Sequence, residues 1–210
     1  MIQQTVILFV VLMGFLPGEV LRMKLADGFD YPVGKPDAKD YYKARGMRLT
    51  APVHFGEDWN GTGGGDSDLN DPIYACGDGV VTFAADVKVG WGRVMIIRHA
   101  YREPATGQVK FVDSQYGHLR SMLVKKGDLV KRGDKIGTMG NNRGMYAAHL
   151  HFEIRYNLSI GMWRESVPRS TKNWADPTKF IRAHRRLKKE WRPVVVPTGT
   201  YKVYRGHEGL

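Results

Sequence analysis

The chain has 210 residues, of which 42% are hydrophobic and 25% are charged. These values favour a folded chain of about one domain over a collagen, a coiled coil or a wholly disordered protein, and a lone cysteine, Cys76, excludes an internal disulfide framework. Lysine and arginine outnumber aspartate and glutamate by 32 to 21, a net charge of +11, which predicts attraction to polyanions without selecting among nucleic acid, anionic lipid and an acidic cell envelope.

The chain begins with an apolar run from Val6 to Leu16 that ends at Pro17-Gly18. A membrane-spanning helix needs about 20 apolar residues, whereas this shorter run matches the apolar core of a secretory signal. Residues 1–18 are therefore predicted to be a signal peptide, and the protein is expected to be secreted, periplasmic or cell-wall associated rather than an integral membrane protein. Because no Lys or Arg precedes the run, a buried N-terminal strand is the alternative.

The segments that follow predict a β domain. Residues 19–48 mix polar and aromatic side chains with turn signals, so an irregular lead-in is expected there. From residue 49 to 157 short apolar runs alternate with glycine, a pattern typical of an all-β sandwich or barrel of antiparallel strands. Strands are expected at 80–83, 94–97, 109–112 and 150–154. The segments 124–130 and 130–136 repeat a Gly-Asp turn, for which two surface hairpins are a sufficient interpretation.

Residues 158–210 are predicted to form a basic helix and an extended tail. Asp176 is a good helix cap and Pro177 a good first helical residue, and the apolar period predicts a short helix over residues 177–190, with Trp191 continuing its apolar face. Residues 176–192 contain seven Lys and Arg against two Asp and Glu. This run is either a solvated helix face or a patch that binds an anionic cell envelope.

The most informative local pattern lies in residues 149–155. Because side chains alternate along a strand, three apolar side chains share one face, while His149 and His151 lie side by side on the other with Glu153 and Arg155. Two adjacent imidazoles are compatible with a metal site or with ordinary hydrogen-bonded histidines.

A second pattern adds ligands to the first. His54 and Asp58 lie beside a glycine-rich segment, residues 60–66. A His, a carboxylate and another His supply three nitrogen and oxygen ligands and leave a fourth tetrahedral position for water, the arrangement of a catalytic rather than a structural zinc site. His118, expected on a neighbouring strand end, would add an imidazole for proton transfer or oxyanion stabilisation.

These residues resemble the lysostaphin- and LytM-type zinc metalloendopeptidases, which cut peptide bonds in bacterial peptidoglycan. The resemblance covers residues 49–157 and rests on three motifs in the family's order, His54-Phe-Gly-Glu-Asp58, Tyr116-Gly-His118-Leu119 and His149-Leu-His-Phe-Glu153. It implies an all-β, sandwich or barrel-like duplicated hybrid motif of antiparallel strands. It also implies a Zn²⁺ cofactor held by the metal ligands His54, Asp58 and His151, and the catalytic residues His118 and His149.

The function implied by the resemblance is that of a secreted hydrolase, a zinc metalloendopeptidase that cleaves peptidoglycan cross-links through a metal-activated water. Either catalytic histidine can be the general base, with the other hydrogen-bonding the oxyanion. The segment Asn141–Ala148 replaces the Ser/Thr-Gly-Pro approach that the family often has before its last motif. Because loops around a rigid scaffold shape the binding groove, the type of cross-link is left open.

Two other functions match parts of the pattern. A non-catalytic cell-wall binding or regulatory relative would keep the fold, but it is expected to lose ligands, whereas all five positions are present here. A non-haem Fe(II) oxygenase also uses two His and one carboxylate, but its first His and its acid are commonly two residues apart, whereas His54 and Asp58 are four apart.

The expected partners are peptidoglycan or its peptide cross-links, with the anionic envelope contacted by the basic C-terminal helix. No nucleic-acid recognition motif accompanies the basic residues, so no specific nucleic-acid partner is expected. His99 is expected to be a structural histidine at a strand end, and Cys76 a small packed side chain rather than a nucleophile.

Overall fold

The structure is a computed structural model that describes residues 21–88, 90–162 and 167–201, so the predicted signal peptide lies outside the described residues. Within these ranges there are twelve strands, one α-helix and a short π-helical segment. In chain order they are β1 (Arg22–Met23), the π-helical segment Gly34–Ala38, β2 (Tyr41–Arg45), β3 (Glu57–Gly61), β4 (Pro72–Tyr74), β5 (Gly79–Asp86), β6 (Arg93–Arg102), β7 (Val109–Met122), β8 (Leu129–Val130), β9 (Lys135–Met139), β10 (Leu150–Arg155), β11 (Trp174–Ala175), α1 (Pro177–Ala183) and β12 (Val194–Val195). Within the same ranges there is no helix long and apolar enough to cross a membrane.

Ten of the described strands form one sheet, whose main path runs β2-β3-β10-β7-β6-β5-β8. Strand β11 pairs with β10, and β9 pairs with both β4 and β7. All the pairings are antiparallel, which confirms the fold class predicted from the sequence. The strands expected at 80–83, 94–97, 109–112 and 150–154 lie within β5, β6, β7 and β10.

Strand β10 lies in the middle of the sheet between β3 and β7, and its two faces differ. Leu150, Phe152 and Ile154 are fully buried in the main hydrophobic core, together with Tyr116 of β7 and Met95 of β6. Each such side chain contributes about 2 kcal/mol by leaving water. This packing fixes the register of β10, and since a shift of one residue would turn every side chain to the other face, it also fixes the direction in which the histidines point.

The repeated Gly-Asp segments form two equivalent turns. In each, a backbone N–H donates to the aspartate three residues further on, at 2.9 Å for Asp128 and 2.8 Å for Asp134. Gly127 and Gly133 have positive φ angles of 95° and 82°, which glycine adopts without steric cost. Their N–H groups donate to backbone carbonyls of β5 and of the residue that follows β4, so both turns dock on the sheet.

Helix α1 begins as predicted and ends earlier than predicted. The Asp176 side chain accepts a hydrogen bond from the backbone N–H of Lys179 at 2.8 Å, with Pro177 as the first helical residue. The helix stops at Ala183 rather than at residue 190, because the chain departs from helical geometry at His184 (φ −118°, ψ 25°).

The residues after α1 follow the N-terminal lead-in instead of continuing the helix. The backbone N–H of Leu187 donates to the carbonyl of Asp27 at 2.9 Å. The predicted apolar face therefore stops at the half-buried Leu187, and Trp191 is 66% exposed. The lead-in is irregular only in part, since it supplies β2 at one edge of the sheet and β1, which pairs with β12.

A buried ion pair joins the last described segment to the sheet. The guanidinium of Arg98 in β6 donates to both carboxylate oxygens of Asp113 in β7, at 2.7 and 2.8 Å. It also donates to the backbone carbonyls of Pro197 at 2.6 Å and Leu158 at 3.0 Å, and the Tyr201 hydroxyl donates to Asp113 at 2.9 Å. One guanidinium thus links two strands and two distant loops.

Candidate metal and catalytic site

Strand pairing brings the separate sequence motifs together. In the β3–β10 ladder Asp58 lies directly opposite His151, and in the β10–β7 ladder His151 lies opposite Gly117, the residue before His118. His54 precedes β3 and is held by a two-way backbone bridge with Arg48, with N···O distances of 2.6 and 2.7 Å. All the predicted site residues therefore converge at one end of the three central strands.

The three predicted metal ligands form a tight cluster. The Oδ1 atom of Asp58 lies 3.0 Å from Nε2 of His54 and 2.9 Å from Nδ1 of His151, and these two nitrogens are 3.0 Å apart. All three residues are buried or half-buried. Among the described residues, these three side chains place their ligand atoms close enough together to hold one metal ion.

Hydrogen bonds on the far side of each ring orient the two histidines. Nδ1–H of His54 donates to the carbonyl of Gly46 at 2.9 Å, which leaves the lone pair of Nε2 directed at the cluster. Nε2 of His151 lies 2.9 Å from the carboxylate of Glu153, so that nitrogen carries a proton and Nδ1 faces the cluster. Outer hydrogen bonds of this kind fix the tautomer of metal-binding histidines.

The charges of the cluster favour a cation at its centre. Burial alone would raise the pKa of Asp58, but its close interactions with the rings of His151 and His54 outweigh burial and lower the pKa well below its usual range. Burial would likewise lower the pKa of His151, yet hydrogen bonds to Asp58 and Glu153 raise it. A single proton cannot lie between all three pairs of ligand atoms, whereas a metal ion can satisfy them together, so the donor set fits Zn²⁺.

Glu153 connects the predicted ligand His151 to the interior. Its other carboxylate oxygen accepts hydrogen bonds from Nε of Arg155 at 2.8 Å and from the Trp174 indole at 3.1 Å. The side chains of Glu153 and Arg155 are almost fully buried. This charge-assisted network holds the carboxylate, and through it the ring of His151, in one orientation.

His118 and His149 lie beside the cluster, with ring centroids 4.7 Å apart. Nδ1 of His149 donates to the carbonyl of Ala147 at 2.8 Å, and Nδ1 of His118 to that of Trp91 at 3.2 Å. Nε2 of His149 lies 3.9 Å from Oδ1 of Asp58. Among the described residues no protein group hydrogen-bonds Nε2 of either ring, so both nitrogens are open to a bound substrate.

The backbone at His118 differs from the expected strand end. His118 lies inside β7, where the residue adopts φ +60° and the pairing with β6 changes register. Such a bulge redirects a side chain out of the regular alternation of the strand. Burial, reinforced by the nearby His151 and His149, lowers the pKa of His118 to about 3, which keeps the ring neutral at neutral pH.

Another buried histidine, His99, and the cysteine lie elsewhere, in the core. His99 is inside β6 rather than at its end, with Nδ1 2.9 Å from the carbonyl of Asp78 and Nε2 2.7 Å from Oγ of Ser114. Burial lowers the pKa of His99 to about 4. Cys76 is fully buried, and burial raises the pKa of its thiol to about 11, so a nucleophilic role is disfavoured.

Most of the groups that orient the imidazole rings of the site were not predicted from the sequence. The carbonyls of Gly46, Trp91 and Ala147 fix three of the imidazole rings, and no sequence signal marks a backbone carbonyl. Glu153 did carry a signal, because the strand period places it on the same face as His151.

The chain also matches known proteins. The model of peptidase family M23 matches residues 54–160, a span that contains all five predicted site residues, and the chain belongs to this family. The murein hydrolase activator NlpD of Escherichia coli K12 is 39% identical over 84 residues, which are 40% of this chain and 20% of that protein. The peptidoglycan DD-endopeptidase ShyA of Vibrio cholerae serotype O1 is 34% identical over 86 residues, which are 41% of this chain and 18% of that protein.

This chain therefore matches only about a fifth of the length of these two relatives. A chain of the solved SpoIIQ–SpoIIIAH pore-forming complex has a TM-score of 0.51 and 21% identity, with 74% of this chain and 91% of that chain covered. At that identity the likeness concerns the fold alone.

Proposed function

We propose that this M23 protein is a zinc-dependent endopeptidase that hydrolyses peptide bonds in peptidoglycan cross-links. The observation that carries the proposal is the convergence of ligand atoms from His54, Asp58 and His151 within 3.0 Å of one another. The similarity to ShyA, which is named a peptidoglycan DD-endopeptidase, supports the same substrate class.

The three ligands would hold Zn²⁺, and the site residues around them divide the remaining tasks. When bound, zinc supplies a Lewis acid that polarises a carbonyl and lowers the pKa of coordinated water towards about 7. Glu153 keeps the proton of His151 on Nε2, so that Nδ1 can serve as the ligand atom. Asp58 contributes a negative charge and is already ionised at neutral pH.

His118 and His149 would handle the protons. Both rings hold their Nδ1 protons on backbone carbonyls, so Nε2 is the atom that faces the reaction in each case. One of them accepts the proton of the attacking water at Nε2 and passes it to the leaving amine. The other must first take up a second proton from solvent at Nε2, and as a cationic ring it would then donate a hydrogen bond to the oxygen that gains negative charge, a contact worth about 3 kcal/mol in comparable sites.

A second function is favoured by one comparison. The E. coli relative is named as a murein hydrolase activator, and a protein of that class could bind the wall and stimulate another hydrolase without cutting bonds itself. The structure retains all five site positions, and this observation favours catalysis.

The test is mass spectrometry of the fragments released from purified peptidoglycan by the full chain. New amino termini from cleaved cross-links, abolished by a chelator and restored by Zn²⁺, are expected. If no fragments are released but a separate wall hydrolase is accelerated, the activator function replaces the endopeptidase function.

The basic residues in the last turn of α1 and in the segment after it support a further part of the proposal, retention at an anionic envelope outside the cytoplasm. Arg182, Arg186 and Lys188 are exposed, and the ammonium groups of Lys24 and Lys189 each lie 4.6 Å from the ring of exposed Trp191. Cationic groups around an exposed aromatic ring suit an anionic polymer or surface. Binding to purified cell walls should weaken as salt rises, and replacing Arg186 and Lys188 by Gln should weaken it further.

A further inference from the structure

A pocket of about 340 Å³ opens beside the two catalytic histidines. We call it the arginine pocket, and it is lined by Gly92, Arg93, Leu119, Arg120, Gly140, Asn141, Asn142 and Arg143. Three arginines, two asparagines and no carboxylate line this space, so its chemistry differs from that of the metal cluster.

The pocket carries an uncompensated positive charge. Arg93 donates from Nη1 to the backbone carbonyl of Arg120 at 2.5 Å, which fixes its guanidinium without neutralising it. Arg143 forms an ion pair with Asp86. Arg93 lies opposite Asp86 in the β5–β6 ladder, and its charge helps to lower the pKa of that carboxyl. Within the described ranges neither Arg93 nor Arg120 has a salt bridge, so Asp86 balances only one of the three positive charges. Arginine presents several N–H donors in a planar fork that matches a carboxylate.

The pocket also shares its wall with the catalytic site. Arg120 follows His118 by two residues on β7, and Gly140 forms a backbone bridge with His149. Gly92 comes directly after Trp91, whose carbonyl holds His118. A peptide that places its scissile carbonyl between the two histidines would therefore pass the arginines within a short length of chain.

We propose that the arginine pocket binds a free carboxylate of the peptide substrate and so selects acidic cross-linked peptides. This proposal rests on the proposed peptidase function. Arg120 makes the principal contact, because its exposed guanidinium has no described hydrogen-bond partner, while Arg93 and Arg143 are held by the carbonyl of Arg120 and by Asp86. Charge-assisted hydrogen bonds from arginine to carboxylate are stronger than neutral ones.

The experiment compares two substrates and three forms of the full chain. The substrates are a cross-linked peptide purified from peptidoglycan and the same peptide after its free carboxylates have been converted to carboxamides. The proteins are the wild type, Arg120→Gln, and Lys126→Gln as a control that removes the same charge from an exposed turn outside the pocket.

We expect Arg120→Gln to lower kcat/KM for the acidic peptide by about tenfold or more, mainly through KM. The same substitution should change kcat/KM for the carboxamide peptide little, because the interaction is already absent there. The control Lys126→Gln should behave as wild type on both peptides. Calorimetry with chelator-treated protein should show the same preference for the acidic peptide without any turnover.

The possible outcomes separate the two proposals. Equal hydrolysis of both peptides by the wild type, or equal losses for both peptides in Arg120→Gln, would overturn the carboxylate pocket while the endopeptidase function stands. If the wild type cuts neither peptide, the endopeptidase function fails, and the calorimetric comparison still decides whether the pocket binds a carboxylate.

Discussion

Two buried histidines on neighbouring strands, His99 of β6 and His118 of β7, have opposite environments. His99 has a protein partner at each ring nitrogen, the carbonyl of Asp78 at 2.9 Å and Oγ of Ser114 at 2.7 Å. His118 has one, the carbonyl of Trp91 at 3.2 Å, and among the described residues its Nε2 has no hydrogen-bond partner. Burial lowers the pKa of both rings, to about 4 and about 3.

The difference shows that burial and a shifted pKa do not by themselves mark a reactive histidine. A ring with both nitrogens satisfied stabilises the core, whereas a ring held by one nitrogen offers the other to a ligand or substrate. His54, His149 and His151 follow the second pattern, each with one nitrogen held by a group outside the cluster.

Removing a ligand should break the site most completely. His151→Ala deletes the ring that faces Asp58 and His54, so stoichiometric zinc and peptidoglycan cleavage should both be lost. Zinc content by mass spectrometry and fragment release measure the two effects. Full cleavage with unchanged zinc content would falsify the ligand assignment.

Replacing His118 or His149, while leaving the three predicted ligands intact, should have the next largest effect. His118→Gln and His149→Gln are each expected to lower kcat by about 100-fold to 10,000-fold, the range for general acid–base groups, while zinc content and melting temperature stay near those of wild type. If either variant loses its zinc, that histidine is a ligand rather than a proton carrier.

His99, the histidine of the core, should affect the stability of the fold rather than the rate of turnover. The pKa of His99 is about 4 in the folded protein and near 6.5 in the unfolded chain. The unfolded chain therefore takes up a proton at His99 at a higher pH than the folded protein does. As pH drops from about 6.5 to about 4, the free energy of unfolding should fall by about 3 kcal/mol in total. Urea unfolding at pH 7 and pH 5 measures the fall. His99→Gln should be less stable at pH 7 but lose less between the two pH values, and an unchanged difference would mean that other groups cause the pH dependence.

The smallest effect is expected from replacing Glu153, whose carboxylate lies beside Nε2 of His151. Glu153→Gln should weaken zinc binding by about 10-fold to 100-fold, as is typical when the group that orients a metal-binding histidine is replaced. Competition with a chelator measures the affinity. Glu57→Gln is the matched control, since Glu57 is as deeply buried but bonds Lys43 and Thr178. Equal weakening in both variants would point to general destabilisation.

Much of the site was predictable because side chains alternate between the two faces of a strand, so that every second residue lies on the same face. The alternation in residues 149–155 places His149 and His151 on one face, and the packing of Phe152 on the other face fixes that direction. The resemblance of three motifs to a known family supplied the pairing of His54 and Asp58 with His151, since ladder register depends on contacts between distant residues.

Other features depend on tertiary contacts that local patterns do not encode. The bulge at His118 arises where the β6–β7 register changes, and α1 ends early because Leu187 bonds the lead-in. The arginine pocket combines Arg93, Arg120 and Arg143 from three separate segments, so each looks like an ordinary surface cation in the sequence.

The buried Arg98 also has a consequence for folding. Four of the five N–H groups of its guanidinium are hydrogen-bonded. Two donate to Asp113 and two to the carbonyls of Pro197 and Leu158. Detaching the segment around Pro197 would leave donors of a buried charge without partners, which is costly in a dry interior. The sheet and this distant segment should therefore unfold in a single cooperative transition, so that the end of the described chain helps to keep the strands of the candidate site in register.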